Sequence, residues 1–342
     1  MDRWLRLCAV FVVFPAIAFV GLGCGNRVEV EPEYPPGGGV VADLGGKPTP
    51  KNVIQAKSRG MITGQITFAG EIPPYSMMDA LKNSDPVCKC ASLPQDSEEF
   101  KRHTQNQQWL IDPETKGLSD VIVYVQPKAS NTVFLVTDEE ANFEVPKELA
   151  KKLDKKIVDA AKKEFAARKV TLLTQPHCVY EPHAFVLFPM YHKPDPEFGA
   201  VLSPTQQIFT VTSTAATKHN TQYKGAGATS GTVNPTRKEP VTLNSPDEVN
   251  IPPQSTPVTF GCNIHAWMDG KAIVLSHPYA ARTDNKGRFV LPLVPAGEDL
   301  QLLVWHDGVG GFLNQGDFRG DKGKDIKLKA NEIVELNLQI SK

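Results

Sequence analysis

The sequence predicts a mainly β protein with a single amphipathic helix, and three observations carry that expectation. Prolines (28) and glycines (26) are frequent in 342 residues, which suits strands joined by turns better than a helical bundle. Short runs alternate apolar and polar residues or are β-branched, as half-buried and buried strands are. Only one segment, 147–169, repeats apolar residues at helical spacing: Leu149, Leu153, Ile157, Ala161 and Phe165 follow one another every four positions. The length exceeds one ordinary domain, so two are expected. Basic and acidic side chains nearly cancel, 37 against 38, so the chain lacks the positive excess that phosphate binding needs, and nucleic acid is not an expected partner.

Taken in order, the chain begins with an export signal. Arg3 and Arg6 precede an uncharged run over residues 7–22 that ends in small residues at Cys24. The run is short for a bilayer span and contains Pro15, so residues 1–24 read as a cleaved signal rather than a permanent anchor. Residues 25–57 are rich in Pro and Gly and poor in apolar surface, which predicts a flexible tether. Strands follow at 61–68 (MITGQITF) and 121–125 (VIVYV), with a polar loop expected over 83–108. After the helix come strands at 170–173, 184–188, 207–212, 241–243, 257–261 and 271–275. The stretch 218–237 shows no period and is expected to be a loop. The last strands are expected at 288–291, 300–305 and 334–340.

The peptide TFGCNIHAWM, residues 259–268, places Cys262, His265 and Met268 on one loop between two predicted strands. A thiolate, an imidazole and a weak thioether form a soft donor set. With a second imidazole they suit a trigonal copper site with a long axial Met, whereas structural zinc prefers four strong ligands. His219, followed by Asn220, is the upstream candidate for that imidazole. Each residue taken alone is more often a core or surface side chain; the combination on an exported β domain is the signal.

On these residues, segment 170–276 resembles a cupredoxin with a single type 1 copper ion, its ligand loop similar to that of amicyanin. The segment from Gln175 through His177, Cys178, Tyr180 and His183 also resembles exported methylamine-utilisation or plastocyanin-like proteins. That group usually carries Asn and Asp where this chain has Ser213 and Ala215. The resemblance implies a Greek-key sandwich, copper held by His219, Cys262, His265 and Met268, and single-electron exchange with a donor and an acceptor protein. It also implies that His265 forms the exposed edge of the site. Trp267, with Ala266, reads either as an apolar docking patch or as packing beneath the loop. Multicopper enzymes announce further sites by H-x-H pairs or by histidines flanking the cysteine. Neither occurs among the eight histidines here, Cys262 lies between Gly261 and Asn263, and the loop has no second cysteine for a dinuclear centre. An electron carrier is therefore expected rather than an enzyme. The alternative is a cell-surface copper-binding or scaffold module without redox use.

The signal's end resembles a bacterial lipobox, with Gly21 where Leu is usual. The resemblance implies acylation of Cys24, a membrane anchor through that lipid, and a periplasmic or cell-surface location where disulfides persist. Cys88, Cys90 and Cys178 remain, an odd number. A bridge from Cys88 or Cys90 to Cys178 is the preferred reading; a second metal site using His177 or His183 is the lesser one. Cys88 bonded to Cys90 would be strained. Finally, residues 282–297 (RTDNKGRFVLPLVPAG) resemble the carboxypeptidase-regulatory, transthyretin-like sandwich, whose opening G-x-I and V-x-V strands have counterparts only far upstream, at Gly64 to Ile66 and Val121 to Val123. The expected layout is therefore a discontinuous sandwich of 58–128 plus 277–342, a helical insertion at 129–169 and the cupredoxin at 170–276.

Overall fold

Alternation along the strands sorts them into two β-sandwiches stacked on one another. The computed structural model describes residues 52–342. The expected export signal, the acylation of Cys24 and the tether as far as residue 51 lie outside the described residues. Residues 52–57, expected to continue the tether, are structured instead. Asn52–Ile54 pairs in parallel with Thr132–Phe134, because Ile54 finds an apolar core to pack on. Among the described residues no helix is long and apolar enough to cross a membrane.

Strands from both ends of the described chain build the terminal sandwich. In one sheet Arg59–Phe68 is central, antiparallel to Arg288–Pro295 and parallel to Ile333–Ile340. In the other, Ile122–Pro127 lies between Ala280–Arg282 and Leu300–His306, and Leu300–His306 also pairs with Gly311–Phe312 and Lys324–Ile326. Ile62, Ile66 and Phe68 of the first sheet share a core with Val123, Val125, Leu302 and Val304 of the second. Each such side chain, fully buried, contributes about 1.5–3 kcal/mol. Gly64 sits where the parallel neighbour crowds in: a Cβ there would collide with the Leu336 carbonyl. The turn at Asp284 is closed by its carboxylate, which accepts from Lys286 N at 2.8 Å and Arg288 N at 2.9 Å. The turn then docks on the same strand through Ile66 N to Gly287 O at 2.8 Å.

The central sandwich faces a five-stranded sheet with a three-stranded one. The first runs Ser230–Val233, Thr221–Lys224, Val258–Gly261, Asp269–Val274, Ala184–Leu187; the second runs Val241–Asn244, Ile208–Ser213, Val170–Gln175. Phe185 and Phe260 of one sheet meet Phe209 of the other, with ring centroids 5.4–5.9 Å apart. The opposite face of the larger sheet is also covered. Ala184 and Ile273 pack on Ile122, Tyr124, Leu303 and Trp305, the second face of the terminal sandwich's sheet. Burial on both faces explains why VIVYV is apolar throughout instead of alternating.

Three local expectations are corrected. The segment 147–169 is two helices, Lys147–Ala150 and Lys155–Lys169, rather than one. Asp154 caps the second by accepting from Lys156 N at 2.7 Å, while the Asn331 side chain bonds Asp154 N at 2.8 Å and Lys152 O at 3.1 Å. Those contacts satisfy backbone groups that a continuous helix would have paired. The loop expected over 83–108 contains the helix Glu98–Thr104, capped by Ser97, whose Oγ accepts from Phe100 N at 3.1 Å. The stretch 218–237 holds a hairpin, Thr221–Lys224 with Ser230–Val233. A further hairpin, Met190–Asp195 with Gly199–Pro204, was not anticipated from the sequence.

One buried ion pair ties a further inserted helix, Asp138–Ala141, to the terminal sandwich. Arg59 Nη2 lies 3.3 Å from Glu140 Oε1, and the Tyr279 hydroxyl reaches both. Glu140 also closes the capping box of its own helix with Thr137. Removing one partner strands the other charge in the interior. Arg59→Met is expected to lower unfolding free energy by about 3–5 kcal/mol. Urea denaturation followed by tryptophan fluorescence measures this; a loss well under 1 kcal/mol would contradict the role given to the pair.

Candidate metal centre

The hairpin Val258–Gly261 with Asp269–Val274 closes at the pair Gly261↔Asp269, so the loop from Cys262 to Met268 must turn back over the sandwich end. Thr221–Lys224 lies antiparallel beside Val258–Gly261, with Gln222 opposite Gly261. That register brings the preceding residues, His219 and Asn220, alongside the loop.

Three of the sequence-predicted residues meet there. Cys262 Sγ is 3.9 Å from His219 Nδ1 and 3.8 Å from His265 Nδ1, and the two Nδ1 atoms are 3.1 Å apart. All three side chains are buried and together form a group able to hold a metal ion. Ion bonds of about 2.3 Å to sulfur and about 2.0 Å to nitrogen put ideal trigonal donors roughly 3.7 Å (sulfur to nitrogen) and roughly 3.5 Å (nitrogen to nitrogen) apart; the sulfur spacings of 3.9 and 3.8 Å lie close to this and the two nitrogens, at 3.1 Å, are somewhat nearer each other. Met268 is 2% exposed and belongs to the same apolar cluster as Cys262. Its backbone N donates to His265 O at 2.9 Å, tightening the loop.

The supports come from residues the sequence did not single out for that work. Asn220 Oδ1 accepts from Asn263 N at 2.8 Å and so fastens the upstream ligand segment to the ligand loop. Gln175 Nε2 donates to Asn220 O at 3.1 Å, and the buried Tyr180 hydroxyl donates to Gly261 O at 2.8 Å, next to Cys262. Burial pushes the Tyr180 hydroxyl up to about 12, so it stays a donor. Asn220 following a ligand histidine was legible as a pattern; the roles of Gln175 and Tyr180 depend on tertiary proximity and had no local signal. Ser213 is buried, and the backbone N of Ala215 donates to Gln175 O at 3.0 Å.

Of the two readings of Trp267, docking patch or packing beneath the loop, its surroundings match the packing one. Trp267 is half-buried and its Nε1 donates to Cys178 O at 3.1 Å, so it braces the loop from beneath. The exposed apolar side chain is Ile264, at 57%, with exposed Ala266 close by. His265, expected at an exposed edge, is only 7% exposed. Cys178 is joined to Cys88 in a disulfide, and Cys90 is left free and buried. His183 is paired with Asp307, Nε2 to Oδ2 at 2.9 Å. No protein-family profile, curated protein or solved structure matches this chain.

Burial first, and the neighbouring His265 second, depress the His219 imidazole from 6.5 to about 4, against the opposing pull of the His177 carbonyl and Asp85. Burial also lowers His265. Both rings are therefore neutral at pH 7, the form that ligates. The unfolded chain takes up a proton on each near pH 6.5, the folded chain takes one at His219 only near 4, so stability falls as pH falls through that window. In the metal-free protein the His219 contribution approaches about 1.4 kcal/mol per pH unit. His219→Gln is expected to flatten the pH 4–6.5 stability profile; urea unfolding at stepped pH with an unchanged slope would contradict this.

Proposed function

We propose that this chain is an exported, lipid-anchored type 1 copper protein that passes single electrons between redox partner proteins. In this reading the central sandwich is a cupredoxin and the terminal sandwich a carboxypeptidase-regulatory-like module that holds it. The observation that carries the proposal is the convergence of Cys262 Sγ, His219 Nδ1 and His265 Nδ1 within 3.9 Å of one another, with Met268 buried on the same loop.

Bound copper supplies the one-electron couple at such a site. The chain's own residues supply the rest. His219, Cys262 and His265 would hold the ion, with Met268 offering a weak thioether donor from the same loop. Asn220 and Tyr180 bond the ligand-loop backbone and would limit movement of the donors. Phe260 and Tyr223 beneath the site belong to the apolar core that excludes water. Ile264 and Ala266 provide the apolar contact for a partner, directly beside the His265 ligand. Cys24, once acylated, keeps the folded part at a membrane surface. Copper binding without redox exchange is the competing reading, and one experiment separates the two.

Titrating the chain with Cu2+ is expected to give one intense visible thiolate band per bound ion, bleached by ascorbate and restored by oxidation. Cys262→Ser should abolish the band, and Met268→Leu should keep it while shifting the reduction potential. A copper-loaded but colourless protein, or a band that does not bleach, would overturn the carrier role.

A further inference from the structure

A second group of donors lies next to the disulfide in sequence and takes no part in the site above. Cys90, two residues after Cys88, is fully buried and not disulfide-bonded. His103 comes from the last turn of the Glu98–Thr104 helix and is 4% exposed. His177 immediately precedes Cys178. One donor atom from each lies within 4.8 Å of the other two, and the His103 and His177 rings are 5.2 Å apart.

Hydrogen bonding shows which nitrogens remain for a ligand. His103 Nε2 faces Glu181 Oε2 at 3.5 Å, while Nδ1 is buried with no hydrogen-bond partner. The His177 ring is hydrogen-bonded by the Val87 carbonyl, and its Nδ1 is likewise buried and partnerless. Two partnerless imidazole nitrogens beside a buried thiol are costly unless something ligates them. A carboxylate on the outer nitrogen of a histidine is the arrangement that orients metal-binding imidazoles. Arg102 Nε fixes that carboxylate in turn, at 3.0 Å from Glu181 Oε1. Glu99 adds negative charge that acts on both Cys90 and His177. Cys90 also adopts a left-handed backbone (φ 52°), a conformation uncommon outside glycine and frequent where a residue is held for function.

We propose that Cys90, His103 and His177 bind a second metal ion, a thiolate-seeking d10 cation, Zn2+ or Cu+. Binding displaces the Cys90 thiol proton to solvent and leaves both imidazoles neutral. Half-buried His177 gives the ion its way in. The ion would pin the Glu98–Thr104 helix to the segment that carries Cys178, alongside the Cys88–Cys178 bridge, and so hold the bracing segment of the first centre.

The test is metal stoichiometry with Co2+, Zn2+ and anaerobically supplied Cu+ on the full chain and on Cys262→Ser, which removes the first centre's thiolate. The unsubstituted chain is expected to hold two ions. Cys262→Ser should hold one and keep a thiolate-to-Co2+ absorption that comes from Cys90. Cys262→Ser combined with Cys90→Ser or His103→Ala should lose both ion and absorption, and Glu181→Gln should weaken affinity about 10–100-fold. Retention of Zn2+ or of Cu+ in Cys262→Ser identifies which cation the site takes. A single ion on the unsubstituted chain that is lost in Cys262→Ser, or a Cys262→Ser/Cys90→Ser chain that still shows the thiolate absorption, would overturn the proposal. The stoichiometry of the unsubstituted chain decides the matter if a variant fails to fold, and the blue band of the first centre is read separately.

Discussion

The candidate centre depends on how the segment 175–183 is tied to the ligand loop. Tyr180 bonds the Gly261 carbonyl, Gln175 bonds the Asn220 carbonyl, and the Cys178 carbonyl receives the Trp267 indole. All three are buried or half-buried hydrogen bonds whose loss would leave polar groups without partners in a low-dielectric interior. A loop held at both ends by a sheet and near its C-terminal end by an indole has little freedom, so Cys262, His265 and Met268 are held in place by the protein alone. The same segment carries the disulfide through Cys178, clamps Arg102 through Glu181, and reaches the terminal sandwich through His183 and Asp307. One short stretch thus couples the candidate centre to both sandwiches.

Electrostatics favours the same outcome. Two imidazole nitrogens 3.1 Å apart cannot both carry protons, and burial makes even one charge costly. Burial keeps both rings neutral, and one can donate to the other across the 3.1 Å contact when no ion is bound. Together with the Cys262 sulfur they form a buried donor group that could hold a metal ion. The buried Arg59–Glu140 pair shows the contrast: there, opposite charges and the Tyr279 hydroxyl complete each other without an ion.

Much of this was legible in the sequence, and the exceptions share a cause. Period and β-branching located the strands, and donor types on one inter-strand loop located Cys262, His265 and Met268. His219 was reachable because Asn220 follows it, and Asn220 proves to be the residue that fastens the two ligand segments. What failed was set by tertiary contacts. Asn331 splits an otherwise continuous helical pattern and Ile54 draws the supposed tether into a sheet; Trp267, for which packing beneath the loop was one of two readings, does pack there and reaches a carbonyl 89 residues away. The Thr221–Lys224 hairpin was hidden because its polar residues face solvent while only Thr221 and Tyr223 turn inward. Ser97 followed by two glutamates is a cap signal that the loop reading of 83–108 passed over, and with it the helix that delivers His103.

X-ray absorption at the copper edge of the loaded chain tests the central claim most directly. In a Cys90→Ser background, which removes the other thiolate, the account predicts a first shell of one sulfur and two imidazole nitrogens, unchanged in donor type on reduction and stripped of its sulfur when Cys262→Ser is added. A shell of nitrogen and oxygen alone in the unsubstituted protein would contradict it.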